Sequence, residues 1–194
     1  MGMNPELEMN SIASDENLDA EVLAAESDRL EALQAGVEVS TDRAEGRRRQ
    51  ISARIHIPHP QAQIWEILTD YDQLADFIPN LAKSQRLPQP NHLIRIEQVG
   101  SEVFLKFKFR ARVVLDMIEH YPERIDFKMV EGDFKEFAGS WKLESTSDGT
   151  DLRYTVTILP PLAMPVGLIE RRLRSGLVMN LSAIRDRANQ LFTV

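Results

Sequence analysis

Apolar side chains occupy every second position of a segment near the middle of the chain, from Leu105 to Met117. In the first half of this segment the positions between them carry Lys or Arg. Because successive side chains of a β-strand point to opposite faces, this alternation predicts a long antiparallel strand that is buried on one face and basic on the other. The residues of the expected buried face are Leu105, Phe107, Phe109, Ala111, Val113, Leu115 and Met117.

Six further segments have the length, the apolar pattern and the flanking turn residues that are typical of strands. They comprise residues 51–57, 82–87, 92–99, 125–129, 136–144 and 152–158. Turns between them are expected at residues 88–91, 100–101, 121–122 and 147–149. The sequence therefore predicts about seven strands.

Two short helices are predicted after the first of these strands. Pro60 suits the first position of a helix that continues to about Thr69 and buries Ile64, Trp65 and Leu68. Asp70 is a candidate cap for a second helix, which carries the apolar residues Leu74, Phe77 and Ile78 and stops at Pro79-Asn80.

A third and much longer helix is expected at the end of the sequence, from Pro165 to about Leu191, with a length of ~40 Å at 1.5 Å per residue. Apolar residues recur there in steps of three and four, which is the spacing of one helix face. They are Val166, Ile169, Leu173, Leu177, Leu181, Ile184, Ala188 and Leu191. The small pair Ser175-Gly176 lies in the middle of this helix, where it permits a kink or a close contact with the sheet.

This order of elements predicts an α+β fold in which one antiparallel sheet has its helices gathered on one face. A single long helix across a curved sheet need not close the space beneath it. The apolar inner faces would then line a cavity, which is the usual form of a small-molecule site.

Residues 132–141 read Gly-Asp-Phe-Lys-Glu-Phe-Ala-Gly-Ser-Trp and enter one of the predicted strands. In that strand Phe137, Gly139 and Trp141 share the inward face. A glycine between two aromatic residues leaves a gap in the side-chain layer, as occurs where a strand bends or where another group approaches the backbone closely. We interpret this gap as part of the wall of a ligand cavity.

The same ten residues resemble the Gly-x-Phe-x-x-apolar-x-Gly-x-Trp strand of the polyketide cyclase/dehydrase group, within the START-related superfamily. The segment Asp76-Phe77-Ile78-Pro79 resembles the short second helix of that group. Ile57-Pro58, followed by the helix with Ile64-Trp65, resembles its beginning. The resemblance covers residues 48–192, and the group includes coenzyme Q-binding proteins and the bacterial ribosome-association toxin.

The resemblance implies the helix-grip fold of START domains and the birch pollen allergen. In that fold a curved antiparallel sheet of about seven strands wraps round a long C-terminal helix, and two short helices follow the first strand. The fold hosts carriers, cyclases and regulators alike, so function has to be argued from the site.

Residues 1–46 are expected to form an acidic extension outside a folded domain that comprises residues 47–194. The extension contains 12 Asp or Glu residues against Arg29 and Arg43, while the whole chain has a net charge of −7. It lacks aromatic residues and dense apolar periodicity, which is typical of disordered segments. Residues 17–37 have the pattern of a weakly amphipathic helix, which we interpret as a solvated segment and alternatively as a docking helix.

The sequence contains no Cys, which excludes disulfides and thiol catalysis and fits a reducing compartment. No apolar run approaches the ~20 residues of a membrane span. The acidic N-terminus also lacks the features of a signal peptide. We therefore expect a cytoplasmic protein.

No catalytic constellation is evident from the sequence, and neither a cofactor nor a metal site is expected. Tyr154 is the main polar residue on the predicted inward faces, and we interpret it as part of a cavity wall rather than as a general acid. His56 and His59 form an H-x-x-H pair without a third ligand nearby in sequence, so capping and surface roles are favoured over metal binding. His92 and His120 are expected at surface turns.

Basic residues cluster on one face of the long strand and on the last helix. They are Lys106, Lys108, Arg110, Arg112, Arg171, Arg172, Arg174, Arg185 and Arg187. We interpret them as solvated faces, and the alternative is a docking surface for anionic lipid headgroups at a membrane or for ribosomal RNA. The aromatic residues fall on the apolar faces, so no RNA-stacking platform is predicted, and no binding to DNA is expected.

The leading hypothesis is a non-catalytic carrier or binder of a hydrophobic small molecule, such as a lipid or a prenyl quinone. The alternatives are an aromatase/cyclase-like enzyme that acts on a polyketide-type substrate, and a ribosome- or protein-interaction module of the toxin type. The predicted cavity residues are Phe77, Ile78, Phe107, Phe109, Phe127, Phe137, Gly139, Trp141, Tyr154, Leu173 and Leu177.

Overall fold

The computed structural model describes residues 36–43, 46–89, 93–104, 107–164 and 166–192, with the backbone alone for 43, 102–104, 107–109 and 168. Several predictions lie outside the described residues. They are the disorder and the weak helix predicted up to residue 35, the inward position of Leu105, the basic side chains of Lys106 and Lys108, and the turn position of His92.

Within the described residues, eight strands form one sheet in which every neighbouring pair is antiparallel. Their order across the sheet is β1-β2-β8-β7-β6-β5-β4-β3. The strands are β1 Val37–Arg43, β2 Arg49–Ile57, β3 Leu81–Leu87, β4 Ile94–Phe104, β5 Phe107–His120, β6 Arg124–Gly132, β7 Glu136–Ser145 and β8 Thr150–Leu159. This single sheet, with one long helix after its last strand, is the predicted helix-grip architecture.

Within the described ranges, three helices lie where the sequence predicts them. Helix α1 spans Gln61–Thr69, α2 spans Leu74–Phe77, and α3 spans Val166–Leu191. Pro60 is the N-cap residue of α1, one position before the first helical residue where the sequence predicted it. Asp70 is the C-cap of α1, and the N-cap of α2 is Gln73 instead of the predicted Asp70. No helix in the described part of the chain is long and apolar enough to cross a membrane.

The predicted domain boundary at residue 47 lies within the sheet, because strand β1 precedes it and pairs with β2 along its whole length. Val37 is buried, and Thr41 accepts a hydrogen bond of 2.7 Å from Arg174 of helix α3. The alternation of β1 is short and set among acidic residues, which hid it from the sequence analysis. β1 accounts for the difference between seven predicted and eight observed strands.

The turn predicted at Gly100-Ser101 is wrong, since both residues lie inside β4 and pair with Ala111 and Arg110 of β5. The pairing continues to the end of the strand, where Phe104 faces Phe107. Gly100 does not have the positive φ that a tight turn on glycine requires. A glycine flanked by β-forming residues on both sides continues the strand here.

The hydrophobic core is concentrated between helix α3 and the half of the sheet formed by β1, β2 and β8. Leu181 and Ile184 of the helix are fully buried there. On the sheet side the fully buried residues are Ile51, Ile55, Ile57, Leu152 and Ile158. The predicted apolar stripe of α3 is thus confirmed for its central residues, while Leu191 at the last helical position is exposed.

Gly139 in β7 lies opposite Phe127 in β6, and the protein itself fills the gap that the sequence leaves there. A Cβ atom on Gly139 would lie 2.0 Å from the Thr155 carbonyl oxygen and 2.6 Å from Cζ of Phe127. Both distances are far shorter than any van der Waals contact. The group that approaches the backbone at Gly139 is therefore the Phe127 ring, together with the main chain of β8.

Replacing Gly139 by alanine is expected to destabilise the fold by about 3 kcal/mol, because the added methyl group forces the Phe127 ring and the β8 backbone to move. Urea unfolding of the purified variant measures this change. Gly167→Ala is the matched control, since a Cβ there meets nothing within 4 Å and alanine favours a helix by up to ~1 kcal/mol. Equal stability of the two variants would contradict the packing at Gly139.

Candidate ligand-binding cavity

Two adjoining chambers lie between the helices and the inner face of the sheet. The small chamber has a volume of about 70 Å³ and is lined by residues of α1, α2 and strands β3 to β8 together with Asn180 of α3. The large chamber has a volume of about 170 Å³ and lies beneath the N-terminal half of α3. For comparison, an apolar protein cavity of ~150 Å³ holds one benzene ring.

A row of five aromatic rings forms the floor of both chambers. Phe134 stacks on Phe137, which contacts Phe127, and each pair has its ring centroids 5.7 Å apart. Phe127 then contacts Tyr154 at 5.9 Å, and Tyr154 stacks on Trp141 at 3.5 Å with nearly parallel rings. This row gives the cavity a continuous apolar surface that favours the rings or alkyl chain of a hydrophobic molecule.

The strand register explains how residues from three strands form this row. Phe127 of β6 faces Gly139 of β7, and Trp141 of β7 faces Tyr154 of β8. Because Gly139 has no side chain, the Phe127 ring can cover it and reach the rings on both sides. The glycine therefore supports the cavity floor without itself lining either chamber.

Polar side chains meet where the two chambers adjoin. Five residues line both chambers, and three of these carry amide groups. The five are Asn80, Leu81, Gln98, Tyr154 and Asn180. The junction is therefore the polar zone between two mainly apolar spaces.

The side-chain amide of Gln98 is positioned by a chain of two hydrogen bonds. Gln98 Nε2 donates to Ser84 Oγ at 3.3 Å, and Ser84 Oγ donates to the carbonyl oxygen of Tyr71 at 2.6 Å. Ser84 is buried, so this chain satisfies a polar group that water cannot reach.

Asn180 differs from Gln98, because its Oδ1 atom is buried and accepts no hydrogen bond within the described residues. A buried acceptor without a partner costs about 1–3 kcal/mol. Such groups are few in native proteins and call for an explanation. At a cavity wall, the natural explanation is a partner that belongs to a bound molecule.

Gly176 of α3 makes room for the third amide. A Cβ on Gly176 would lie 2.9 Å from Nδ2 of Asn80, so the Asn80 side chain packs directly on the helix at this point. A close contact with the sheet was predicted at Ser175-Gly176, and the structure places a close contact there with Asn80 in the loop before β3 instead.

The lining residues do not provide an acid–base pair. Among the described residues that line the chambers, none is Asp, Glu or His. Burial raises the pKa of the Tyr154 hydroxyl well above its usual range, so this phenol stays neutral at physiological pH. Arg172 lines the large chamber and is the charged residue of its wall.

Most of the predicted cavity residues whose side chains are described do line the chambers. The structure brings together Ile78, Phe127, Phe137, Trp141, Tyr154, Leu173 and Leu177. Phe77 lies elsewhere, with the Arg187 guanidinium 5.6 Å from the centre of its ring. The side chains of Phe107 and Phe109 lie outside the described part of the protein, and their backbone belongs to β5.

The sequence analysis missed Phe134 and the three amide residues. Phe134 is the first aromatic residue of the 132–141 motif. Gln98 follows Ile96 at an inward position of β4, and Asn180 follows Leu177 by three residues on the apolar stripe of α3. A polar residue at an apolar position of a periodic pattern is the signal that identifies Gln98 and Asn180 in the sequence.

The two histidines of the H-x-x-H pair contact side chains of β8 and α3. His59 is buried, and its Nε2 lies 2.8 Å from Oδ1 of Asn189. His56 Nδ1 lies 3.1 Å from a carboxylate oxygen of Asp151. Within the described ranges, no group of three or more His, Cys, Asp or Glu residues is placed to hold a metal ion.

Several of the predicted basic residues have partners inside the protein. Arg112 pairs with Glu97 and Glu131, in each case at 2.6 Å. Arg174 donates to Thr41, and Arg187 covers Phe77. Arg110 and Arg171 are exposed.

Comparison with protein families gives a match over residues 57–182, to the family described as polyketide cyclase/dehydrase and lipid transport. The chain belongs to this family. The match begins at the end of β2 and extends into α3, so it contains both chambers and their aromatic floor. A comparison with curated proteins found no match.

Solved structures of the START and cyclase type share the fold. A STAR-related lipid transfer protein fragment from Xanthomonas axonopodis has a TM-score of 0.65 and 16% identity, covering 80% of this chain and 95% of that one. The Zhui aromatase/cyclase from a Streptomyces species has a TM-score of 0.63 and 16% identity, covering 75% and 97%. A protein from Thermus thermophilus has a TM-score of 0.64 and 18% identity, covering 73% and 97%.

Membership of the polyketide cyclase/dehydrase and lipid transport family confirms the resemblance that the 132–141 motif indicated. The family supports a START-like fold that binds hydrophobic ligands. The solved structures that share the fold include a lipid transfer protein and an aromatase/cyclase, so the choice between these activities has to come from the cavity.

Two buried tyrosines beside the cavity predict a loss of stability at alkaline pH. Burial raises the pKa of Tyr154, and burial with the nearby Glu119 carboxylate raises that of Tyr71, whose hydroxyl donates to Glu119 at 2.9 Å. The unfolded chain releases these protons near pH ~10, so the folded state binds more protons above that pH. Each tyrosine then lowers the free energy of unfolding by up to ~1.4 kcal/mol per pH unit.

Urea unfolding between about pH 8 and pH 11 measures this slope. In Tyr154→Phe and in Tyr71→Phe the free energy of unfolding is expected to fall less steeply with rising pH, by the contribution of the one tyrosine that is removed. Tyr121→Phe, at a ring that is 69% exposed, is the control and should leave the slope unchanged. A slope that is the same in all three variants would show that these hydroxyls do not govern alkaline stability.

Proposed function

We propose that this protein binds a hydrophobic small molecule in the two chambers, such as a lipid or a prenyl quinone, and carries it without changing it chemically. The observation that supports this most directly is the row of five aromatic rings beneath both chambers. Burying apolar ligand surface on such a floor supplies the main driving force for binding.

The size of the cavity favours a ring system or a single alkyl chain over a bulky polycyclic molecule. The large chamber holds slightly more than one benzene ring, and the small chamber extends the space past the amide junction. A ligand that spans both chambers would place an apolar part on each side of the junction and a polar group at it.

The chemistry of the wall favours a binder over an enzyme. General acid–base catalysis needs a group whose pKa lies near the working pH and that reaches the reacting atom. Tyr154 is held neutral by burial, and the side-chain amides of Asn80, Gln98 and Asn180 do not act as acids or bases at physiological pH. A cyclase with this wall would have to act by orienting its substrate with these polar groups, without proton transfer to or from them.

The ribosome-docking alternative has less support from the described surface. Arg112, Arg174 and Arg187 are engaged with Glu97, Thr41 and Phe77 rather than presented together. Salt-sensitive co-sedimentation with ribosomes would favour this alternative over a carrier.

Native mass spectrometry of the protein, purified under mild conditions and followed by organic extraction, tests for a bound hydrophobic molecule. We expect a mass above that of the chain, and recovery of the same molecule after incubation at working temperature. A chemically altered molecule would favour the cyclase alternative. A clean mass of the chain, with no thermal stabilisation by added lipids or quinones, would contradict the proposal.

Filling the large chamber should remove binding. In Leu173→Trp the new indole occupies space beneath α3, and we expect affinity for an apolar fluorescent probe to fall at least tenfold, which is ~1.4 kcal/mol. Gln190→Trp is the matched control, because it adds the same side chain at an exposed position of the same helix. The melting temperature of both variants is measured in parallel, and equal probe affinity in the two would place binding outside the chamber.

A further inference from the structure

The position of Asn180 identifies the chemical class of ligand that the cavity selects. We propose that the ligand carries a hydroxyl group, and that Oδ1 of Asn180 accepts a hydrogen bond from it where the two chambers adjoin. This inference rests on the proposed function and names what the same cavity recognises.

The first observation is that Asn180 interrupts an apolar helix face. Leu177, Val178, Leu181 and Ile184 around it are buried, and a leucine at position 180 would continue the same stripe. Its Oδ1 atom is buried and has no hydrogen-bond donor within the described residues. A polar group kept at this position without an internal partner is suited to a partner that arrives with the ligand.

The second observation is that a hydroxyl at this point would have an acceptor for its hydrogen and donors for its oxygen. Asn180 and Gly176 are four residues apart and therefore lie on the same face of α3. The Asn80 amide packs on Gly176, with its Nδ2 atom 2.9 Å from the position of the missing Cβ. An alcohol bound at the junction can donate to Asn180 while its oxygen faces the neighbouring amide donors.

The third observation concerns which ligands the junction disfavours. An ether, an oxidised quinone or a hydrocarbon has no hydrogen to donate and leaves Oδ1 of Asn180 buried and unpaired, so a prenyl quinone fits this inference only in its reduced quinol form. A carboxylate also offers acceptors alone and meets the same oxygen. A quinol or a long-chain alcohol supplies the missing donor, and the shared chemistry of these molecules is a hydroxyl beside an apolar body.

A site that is built to pair with a hydroxyl discriminates strongly against the analogue that lacks it, because its own polar group is then left unsatisfied. For one neutral hydrogen bond we expect a preference of about tenfold or more. The apolar parts of the two ligands contribute equally if they are matched in size.

Octanol and heptyl methyl ether are isomers that differ in the hydrogen-bond donor, and displacement of an apolar fluorescent probe gives the affinity of each. For the unmodified protein we expect octanol to bind about tenfold or more tightly than the ether. Asn180→Leu should abolish this preference, with weaker binding of octanol and equal or tighter binding of the ether. Asn180→Asp retains an acceptor oxygen and should restore the preference.

Gln190→Leu is the matched control, since it replaces an amide side chain by leucine at an exposed position of the same helix, and it should keep the preference of the unmodified protein. If Asn180→Leu does not fold, Asn180→Met removes the same acceptor with a flexible apolar side chain. Equal binding of both ligands to the unmodified protein would overturn the inference and leave the proposed function standing. A preference that survives Asn180→Leu would overturn the role of Asn180, and absence of binding by either ligand would contradict the proposed function itself.

Discussion

Attachment of helix α3 to one half of the sheet is the constraint on which the cavity depends. Leu181 and Ile184 are buried on this side, Arg174 donates to Thr41 of β1, and Arg49 of β2 pairs with Glu170 at 3.0 Å. Both side chains of this ion pair are largely buried, so its geometry is well protected from solvent. Towards the other half of the sheet, Asn80 before β3 packs on Gly176 of the helix, and the two chambers lie between α3 and the inner face of the sheet.

The floor of the cavity is determined by strand register rather than by the helix. Phe127 can cover β7 because its partner is Gly139, and Trp141 can stack on Tyr154 because β7 and β8 place them opposite each other. A slip of one residue in either pair would turn these rings to the outer face. The same register thus provides both the stability of the central strands and the apolar surface for a ligand.

Family membership and cavity chemistry give different kinds of information about function. The polyketide cyclase/dehydrase and lipid transport family establishes a START-like fold for hydrophobic ligands, and solved structures with this fold include a lipid transfer protein and an aromatase/cyclase. The wall of this cavity combines aromatic rings, amides and Arg172. That set of groups is suited to holding and orienting a molecule, and the amide junction is where it can distinguish one ligand from another.

The sequence by itself determined the α+β class, the three helices and most of the inward residues, because periods of two and of about 3.6 report directly on which face of an element is buried. It did not reveal β1, whose short alternation gains stability only from pairing with β2, or the course of β4 through Gly100, which depends on pairing with β5. The meaning of Gly139 was likewise decided by tertiary structure, since only the register shows that Phe127 fills the gap. The meeting of Asn80, Gln98 and Asn180 joins residues up to a hundred positions apart, and only packing of α3 against the sheet brings such residues together.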